Sequence, residues 1–285
     1  MKTTTLGLLI CAAAFSAHAT GAPGVTEKSS SRHTLHFSGS GERTLEVRAI
    51  NGSITVQAHE GPDVEMIINK TISADNQSGL AAAEEVKLDV SDNAGTVGAT
   101  VRHPDMGICG QQDVWTRSRS RPRYSVQFDF TIRVPRDTSL QLCTINNGDI
   151  TATGTRGDFV IRNVNGRITM TDMSGSGDAI TVNGRVAASF ASAPRTDSHF
   201  KTINGDVVVT VPADFNADLR MKSFNGGLFT DFETQPLAQT LVVEERSAGM
   251  KVFRSNSYTS VRVGSGGPEL TLDTLNGDVR VLRNR

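Results

Sequence analysis

The dipeptide Asn-Gly, flanked on both sides by apolar residues, recurs along this chain and restricts what it can fold into. It stands in Ile50-Asn51-Gly52-Ser53-Ile54, Val164-Asn165-Gly166-Arg167-Ile168, Val182-Asn183-Gly184-Arg185-Val186, Ile203-Asn204-Gly205-Asp206-Val207, Phe224-Asn225-Gly226-Gly227-Leu228 and Leu275-Asn276-Gly277-Asp278-Val279. Ile145-Asn146-Asn147-Gly148-Asp149-Ile150 is the same unit with one extra asparagine. Glycine has no Cβ and asparagine tolerates the left-handed region, so each copy predicts a sharp turn. In mid-chain glycine falls every nine residues, at Gly148, Gly157, Gly166, Gly175 and Gly184.

Two architectures use such turns: antiparallel hairpins and the corners of parallel solenoids. The flanking residues favour the second. In a two-residue hairpin Ile203 would face Asp206, Val164 would face Arg167 and Leu275 would face Asp278, an apolar beside a charged side chain each time. At a solenoid corner Ile203 and Val207 can both point inward while residues 204–206 turn outward. The glycine period places Ile150, Phe159 and Ile168 at one offset, where stacked rungs would turn them into a common core. One coil is then 18 residues, and the spacing widens to 21 between Gly184, Gly205 and Gly226. The 51 residues from Gly226 to Gly277 predict a degenerate coil. The expected fold is therefore all-β, with a parallel β-solenoid of about 18–21 residues per coil over residues 136–285.

Residues 34–135 predict an antiparallel β region with one short helix. Alternating runs at Leu45–Val47, Ile54–Val56 and Val64–Ile68 are strand-like, and so is Tyr124–Val134. Gln77–Val86 is rich in helix formers, and residues 86–101 fit a hairpin. Residues 102–124 form a long loop carrying Trp115 and the arginines Arg117, Arg119, Arg121 and Arg123.

The chain opens with Lys2, an apolar run from Leu6 to Phe15, and Ala17-His18-Ala19, which predict a secretory signal over residues 1–19 cleaved after Ala19. Ile10 is too bulky for a lipidation box ahead of Cys11. Residues 20–33 are small and polar and predict a flexible leader. No later segment approaches the roughly 20 apolar residues of a membrane-spanning helix. The expected location is the periplasm or the cell surface, where disulfides persist. Spacing alone leaves open whether Cys109 and Cys143 pair or remain free thiols.

With 29 basic and 30 acidic residues, bulk charge points to neither nucleic acid nor a membrane surface as partner. His59-Glu60 begins like a metalloprotease motif, but Asp63 stands where the second histidine belongs. No other catalytic, metal or cofactor motif is present, so no cofactor is expected. The residues following the turn glycines, Asp149, Arg167, Arg185, Asp206 and Asp278, would stack along one outer edge, Asp149 beside Arg167 and Arg185 beside Asp206. Such a ladder is either a solvated edge adding tenths of a kcal/mol per pair, roughly, or a surface for polysaccharide or another protein. Acids alternating with arginines in different coils lack the carboxylate clustering that a polysaccharide-cleaving enzyme needs. The arginine loop, with Trp115 and Tyr124, is either a solvated loop or a site for an anionic envelope polymer.

The stretch FTIRVPRDTSLQLCTINNGDITATGTRGDFVIRNVNGRITM carries -VP-, then TINNGDI, then repeated NG. In this it resembles the DUF4097 family of bacterial exported, adhesin-like proteins, over roughly Leu45 to Val281. The resemblance implies a β-solenoid envelope protein with no catalytic residues to carry over. The arginine-rich loop and the segment after Phe232 depart from the family's tidy repeat. A non-enzymatic binding or scaffold module is expected, its partner envelope polysaccharide or another envelope protein. The alternatives are a polysaccharide-acting enzyme and an oligomeric structural or envelope-stress component.

Overall fold

A computed structural model of the protein describes residues 24–39, 41–104, 106–110, 123–238, 241–246, 250–255 and 258–284. The expected signal peptide lies outside the described residues. The chain divides into two compact units between Ile150 and Thr151, later than the boundary at 136 that the repeat suggested. The strand Ile150–Thr153 lies at the division.

In the first unit one sheet orders the strands Val25–Leu35, Val64–Ala74, Tyr124–Pro135 and Ile54–His59, with two antiparallel junctions and then a parallel one. The other orders Thr138–Thr144, Arg43–Arg48, Thr96–Arg102 and Lys87–Asn93, with two parallel junctions and then an antiparallel one. The region expected to be antiparallel is therefore mixed. Its Asn51 already bridges Asn146 in parallel, as a corner does. Leu45, Val47, Ile54, Val56, Val64 and Met66 are fully enclosed between these sheets. Each such side chain contributes about 1.5–3 kcal/mol on burial.

Residues 24–33 are not a flexible leader: Val25–Leu35 pairs residue for residue with Val64–Ala74. It is the outermost strand, so its backbone bonds on one side and most of its side chains meet water. That is why a run of Ser, Lys and Thr carries no hydrophobic strand signal. Gln77–Ala83 is helical, and Asn76 Oδ1 caps it by accepting the Gly79 N–H at 2.9 Å. Cys109 and Cys143 are joined in a disulfide that closes 34 residues and ties the chain beyond Arg102 to the strand Thr138–Thr144.

The second unit is the solenoid. One wall stacks Ile168–Met173, Val186–Phe190, Val207–Val211, Val279–Arg283 and Leu228–Thr230, all parallel. The other stacks Phe159–Asn163, Gly177–Ile180, Ser198–Lys201, Glu269–Asn276 and Ala217–Asn225, also parallel. Beyond them Thr259–Val263 and Thr234–Pro236 run antiparallel. Ile150, Phe159 and Ile168 are buried, as the glycine period required. Phe159, Phe190 and Phe200 meet in the core with ring centroids 6.0–6.3 Å apart.

Spatial order departs from sequence order in the last coils. Val279–Arg283 lies between Val207–Val211 and Leu228–Thr230, and Glu269–Asn276 lies between Ser198–Lys201 and Ala217–Asn225. The expected degenerate coil between Gly226 and Gly277 is replaced by an antiparallel excursion, including the hairpin of Leu241–Arg246 with Met250–Ser255. The chain then returns to fill a coil-wide space that it had skipped.

Candidate interaction surface at the Asn-Gly corners

Each corner of the second unit reads Thr (or Ser, Asn), apolar, Asn, Gly, and every position has a separate physical role. The first points inward. Thr181 Oγ1 donates to the Gly166 carbonyl at 2.9 Å, Thr202 Oγ1 to that of Gly184 at 2.8 Å, Thr274 Oγ1 to that of Gly205 at 2.8 Å and Ser223 Oγ to that of Gly277 at 2.7 Å. In the first unit Thr144 Oγ1 does the same for Gly52 at 3.0 Å. These hydroxyls satisfy carbonyls that the turning backbone leaves unpaired beneath the corner. The T-x-N-G spacing was visible in the sequence, but its threonine had no assigned role.

The glycines stack in a column, Gly166, Gly184, Gly205, Gly277 and Gly226, each backed onto the carbonyl of its neighbour. A Cβ on Gly184 would overlap the Gly166 carbonyl oxygen, and one on Gly205 that of Gly184. Both also have φ of +153°, a backbone that side chains strain to adopt. The opposite corner repeats the packing, with Gly175 against the Gly157 carbonyl. Close approach of coils, more than turn geometry, fixes the glycine.

The asparagines do not use the left-handed region that the turn reading assigned to them; among the described residues Asn147 is the asparagine with positive φ. Their side chains instead form a ladder. Asn183 Nδ2 donates to Asn165 Oδ1, Asn204 Nδ2 to Asn183 Oδ1, Asn276 Nδ2 to Asn204 Oδ1 and Asn225 Nδ2 to Asn276 Oδ1, each at 2.7 Å. An amide carries both donor and acceptor, so one residue type propagates the chain of bonds without end.

The apolar residue before each asparagine also departs from expectation. Ile203 does not turn inward with Val207: it is 38% exposed while Val207 is sealed. The inward place belongs to Thr202, whose hydroxyl reaches the glycine carbonyl. Val164, Val182, Ile203, Leu275 and Phe224 therefore form an outer apolar row in register with the asparagines. Exposure rises along it from half-buried valines to 45% at Leu275 and 74% at Phe224. At the strand spacing of about 4.8 Å the row spans about 19 Å.

The post-glycine residues are brought together differently from the alternating ladder expected. Asp206 and Asp278 are neighbours. The Asp278 N–H donates to Asp206 Oδ1 at 2.9 Å, and the Gly227 N–H donates to Asp278 Oδ1 at 2.8 Å. Arg280 binds Asp278 at 2.6 Å and approaches Asp206 at 3.7 Å, its guanidinium 5.1 Å from the exposed Phe229 ring. Arg185 lies in register beside Asp206 through the Val186 N–H to Asp206 carbonyl bond, but forms no ion pair among the described residues. Asp149 belongs to the first unit and Arg167, exposed, to the second. Trp115, Arg117, Arg119 and Arg121 lie outside the described residues. Arg123 lines a cleft of about 340 Å³ with Gly24–Thr26, Ser73–Asp75 and Tyr124–Ser125, and its carbonyl accepts the Asp75 N–H at 3.1 Å.

Several charges elsewhere on the second unit are paired, among them Lys201 with Asp273 and Arg220 with Glu269. Arg262 donates from Nε and Nη2 to both oxygens of Asp218 at 2.7 Å, and this hydrogen bonding holds the Asp218 carboxyl below its ordinary value. Tyr258 lies under Arg220 and Lys222; burial first, then the negative Asp273 to which it donates at 3.2 Å, raises its phenol above the usual value. Among the described residues no three His, Cys, Asp or Glu gather to hold a metal ion, and no helix is long and apolar enough to cross a membrane.

No family model and no curated protein matches the chain. Among solved structures it is similar to a "putative cell adhesion protein" from Clostridium sporogenes, at 8% identity and a TM-score of 0.43, covering 90% of this chain and 100% of that one. A second similarity is to a "putative lipid binding protein" from Parabacteroides distasonis, at 7% identity and a TM-score of 0.23, covering 90% and 97%.

Proposed function

We propose that this protein is a non-enzymatic binding or scaffold module of the cell envelope, with the Asn-Gly corners as its contact surface. The carrying observation is the outer row Val164, Val182, Ile203, Leu275 and Phe224, which places apolar side chains in water at fixed spacing beside a ladder of amides. The three outermost members of the row, Ile203, Leu275 and Phe224, are contiguous and increasingly exposed, up to 74% at Phe224, and a contiguous exposed apolar patch is the kind of surface that marks an interaction site. Apolar groups alternating with planar amides suit a repetitive partner such as an envelope polysaccharide. The disulfide fits an oxidising compartment, and the resemblance to DUF4097 supports envelope placement. Asp206 and Asp278 are already committed to backbone N–H groups and Arg280, which leaves neither suited to proton transfer.

The test is a binding panel of the mature protein against purified envelope polysaccharides, lipopolysaccharide, peptidoglycan and envelope-protein extract. The variant carrying Ile203→Ser, Leu275→Ser and Phe224→Ser together is run alongside. Binding to at least one component, weakened at least tenfold in the folded variant, is expected; the loss of three apolar contacts of about 1 kcal/mol or more each supplies that factor. Absence of binding across the panel contradicts the reading.

A further inference from the structure

Asn-Gly is also the dipeptide in which the backbone most readily attacks a side chain. The glycine nitrogen, unhindered by any side chain, adds to the asparagine Cγ. This requires an N–H released from its acceptor, an amide free to swing and access to water. The corner ladder engages the glycine N–H at five copies and holds the asparagine amide at both ends at three of them. The Gly52 N–H donates to the Asn146 carbonyl at 3.0 Å, Gly166 to Asn183 at 2.9 Å, Gly184 to Asn204 at 2.9 Å, Gly205 to Asn276 at 2.8 Å and Gly277 to Asn225 at 3.1 Å. The amides of Asn183, Asn204 and Asn276 are held at both ends, accepting from one neighbour and donating to the other. Their glycines are half-buried. At Asn147-Gly148 the glycine is half-buried and packs on the Gly52 carbonyl.

The column ends at Asn225-Gly226, and here the same rule fails. No coil follows, so among the described residues the Gly226 N–H meets no acceptor. The Asn225 side chain donates to Asn276, but among the described residues its Oδ1 accepts no hydrogen bond, and both Asn225 and Gly226 are exposed. The position is terminal because of the interleaved topology: Gly277, later in the sequence, occupies the protected place.

We propose that Asn225 is a site of spontaneous deamidation, selected from chemically identical dipeptides by its place at the open end of the corner column. The Gly226 nitrogen loses its proton to water or hydroxide and bonds to Asn225 Cγ. Nδ2 leaves as ammonia, and a cyclic imide forms. Water then opens the imide at either carbonyl, giving aspartate or isoaspartate, so the net exchange is one water in and one ammonia out. The product loses the donor that Asn225 offers to Asn276 Oδ1 and places a carboxylate beside Phe224. The modification is independent of the proposed function, but it falls on the same surface.

The experiment follows all the Asn-Gly sites by peptide mass mapping while the folded, disulfide-intact chain ages at mildly alkaline pH, with a parallel sample in concentrated urea. In the folded sample Asn225 is expected to convert about tenfold or more faster than Asn165, Asn183, Asn204 and Asn276, the factor that about one hydrogen bond's free energy supplies. In urea the sites converge. Labelling by an isoaspartyl methyltransferase identifies the product, and Asn225→Gln removes that label. Conversion of Asn225 at or below the rate of those four sites in the folded chain overturns the proposal.

Discussion

Between Phe159 and Val211 each coil of the second unit rests on the coil that precedes it in the sequence; from Ala217 onward it does not. The asparagine ladder measures the difference. Its first two bonds join residues 18 and 21 apart, and its last two join residues 72 and 51 apart. The bond geometry is the same, 2.7 Å throughout, so the corner motif is indifferent to where its neighbour comes from. Two doublings of separation cost only about 1.2 kcal/mol of closure entropy. Interleaving is therefore thermodynamically inexpensive, but it makes the C-terminal strands central to both walls.

The largest effect follows from that placement. Removing residues 269–285 takes out Leu270, Leu272, Val279 and Val281, all fully buried, and unpairs two strands on each wall. At about 2–5 kcal/mol per buried aliphatic side chain the loss is as large as the whole stability of a typical domain. Circular dichroism and hydrogen exchange should show the second unit unfolded, where a chain stacked in sequence order would merely shed its last coil.

Next in size is the glycine column. Gly205→Ala, where a Cβ meets the Gly184 carbonyl and φ is +153°, should cost about 2–5 kcal/mol in denaturant melts. Gly41→Ala, with open space around it, should change stability by less than about 0.5 kcal/mol. The inward hydroxyls come third. Thr202→Val strands the Gly184 carbonyl in the core and should cost about 1–3 kcal/mol, whereas Ser223→Ala, at the half-buried last corner, should cost about 0.5–1.5 kcal/mol. Equal costs would erase the distinction between inner and terminal corners.

The smallest effect lies at the antiparallel margin. The folded-state pKa of Asp218 is depressed by Arg262, so the pair's contribution is present above the ordinary carboxylate range and is lost as pH falls through the depressed value. Arg262→Gln should therefore lower the melting temperature slightly near neutrality and not at all in strong acid. The pair is partly exposed, at 40% for Arg262 and 24% for Asp218, and solvent screening keeps the difference small.

The corners were legible because close coil packing requires glycine there and the amide ladder repeats asparagine beside it, and the 18-residue coil followed from Gly157, Gly166, Gly175 and Gly184 alone. The roles within a corner were not. Pattern reasoning turned Ile203 inward because it is apolar and gave Thr202 no role. In the structure Thr202 takes the inward place, since an unpaired carbonyl beneath the turn outweighs the hydrophobic preference of one side chain. The order of coils was equally hidden: Leu275-Asn276-Gly277 fits either neighbour, and no local residue records which it takes. Val25–Leu35 escaped notice because an outer strand can be held by backbone bonds while its side chains stay polar.

Cross-linking tests the interleaved corner column most directly. Cysteines replacing Asn204 and Asn276 occupy adjacent coils about 4.8 Å apart, within disulfide reach, whereas cysteines replacing Asn204 and Asn225 lie at roughly twice that spacing. Oxidation of each folded pair variant, followed by peptide mapping, should give an intramolecular bond for Asn204→Cys with Asn276→Cys and none for Asn204→Cys with Asn225→Cys. A bond between positions 204 and 225, with none between 204 and 276, would contradict the coil order and everything built upon it.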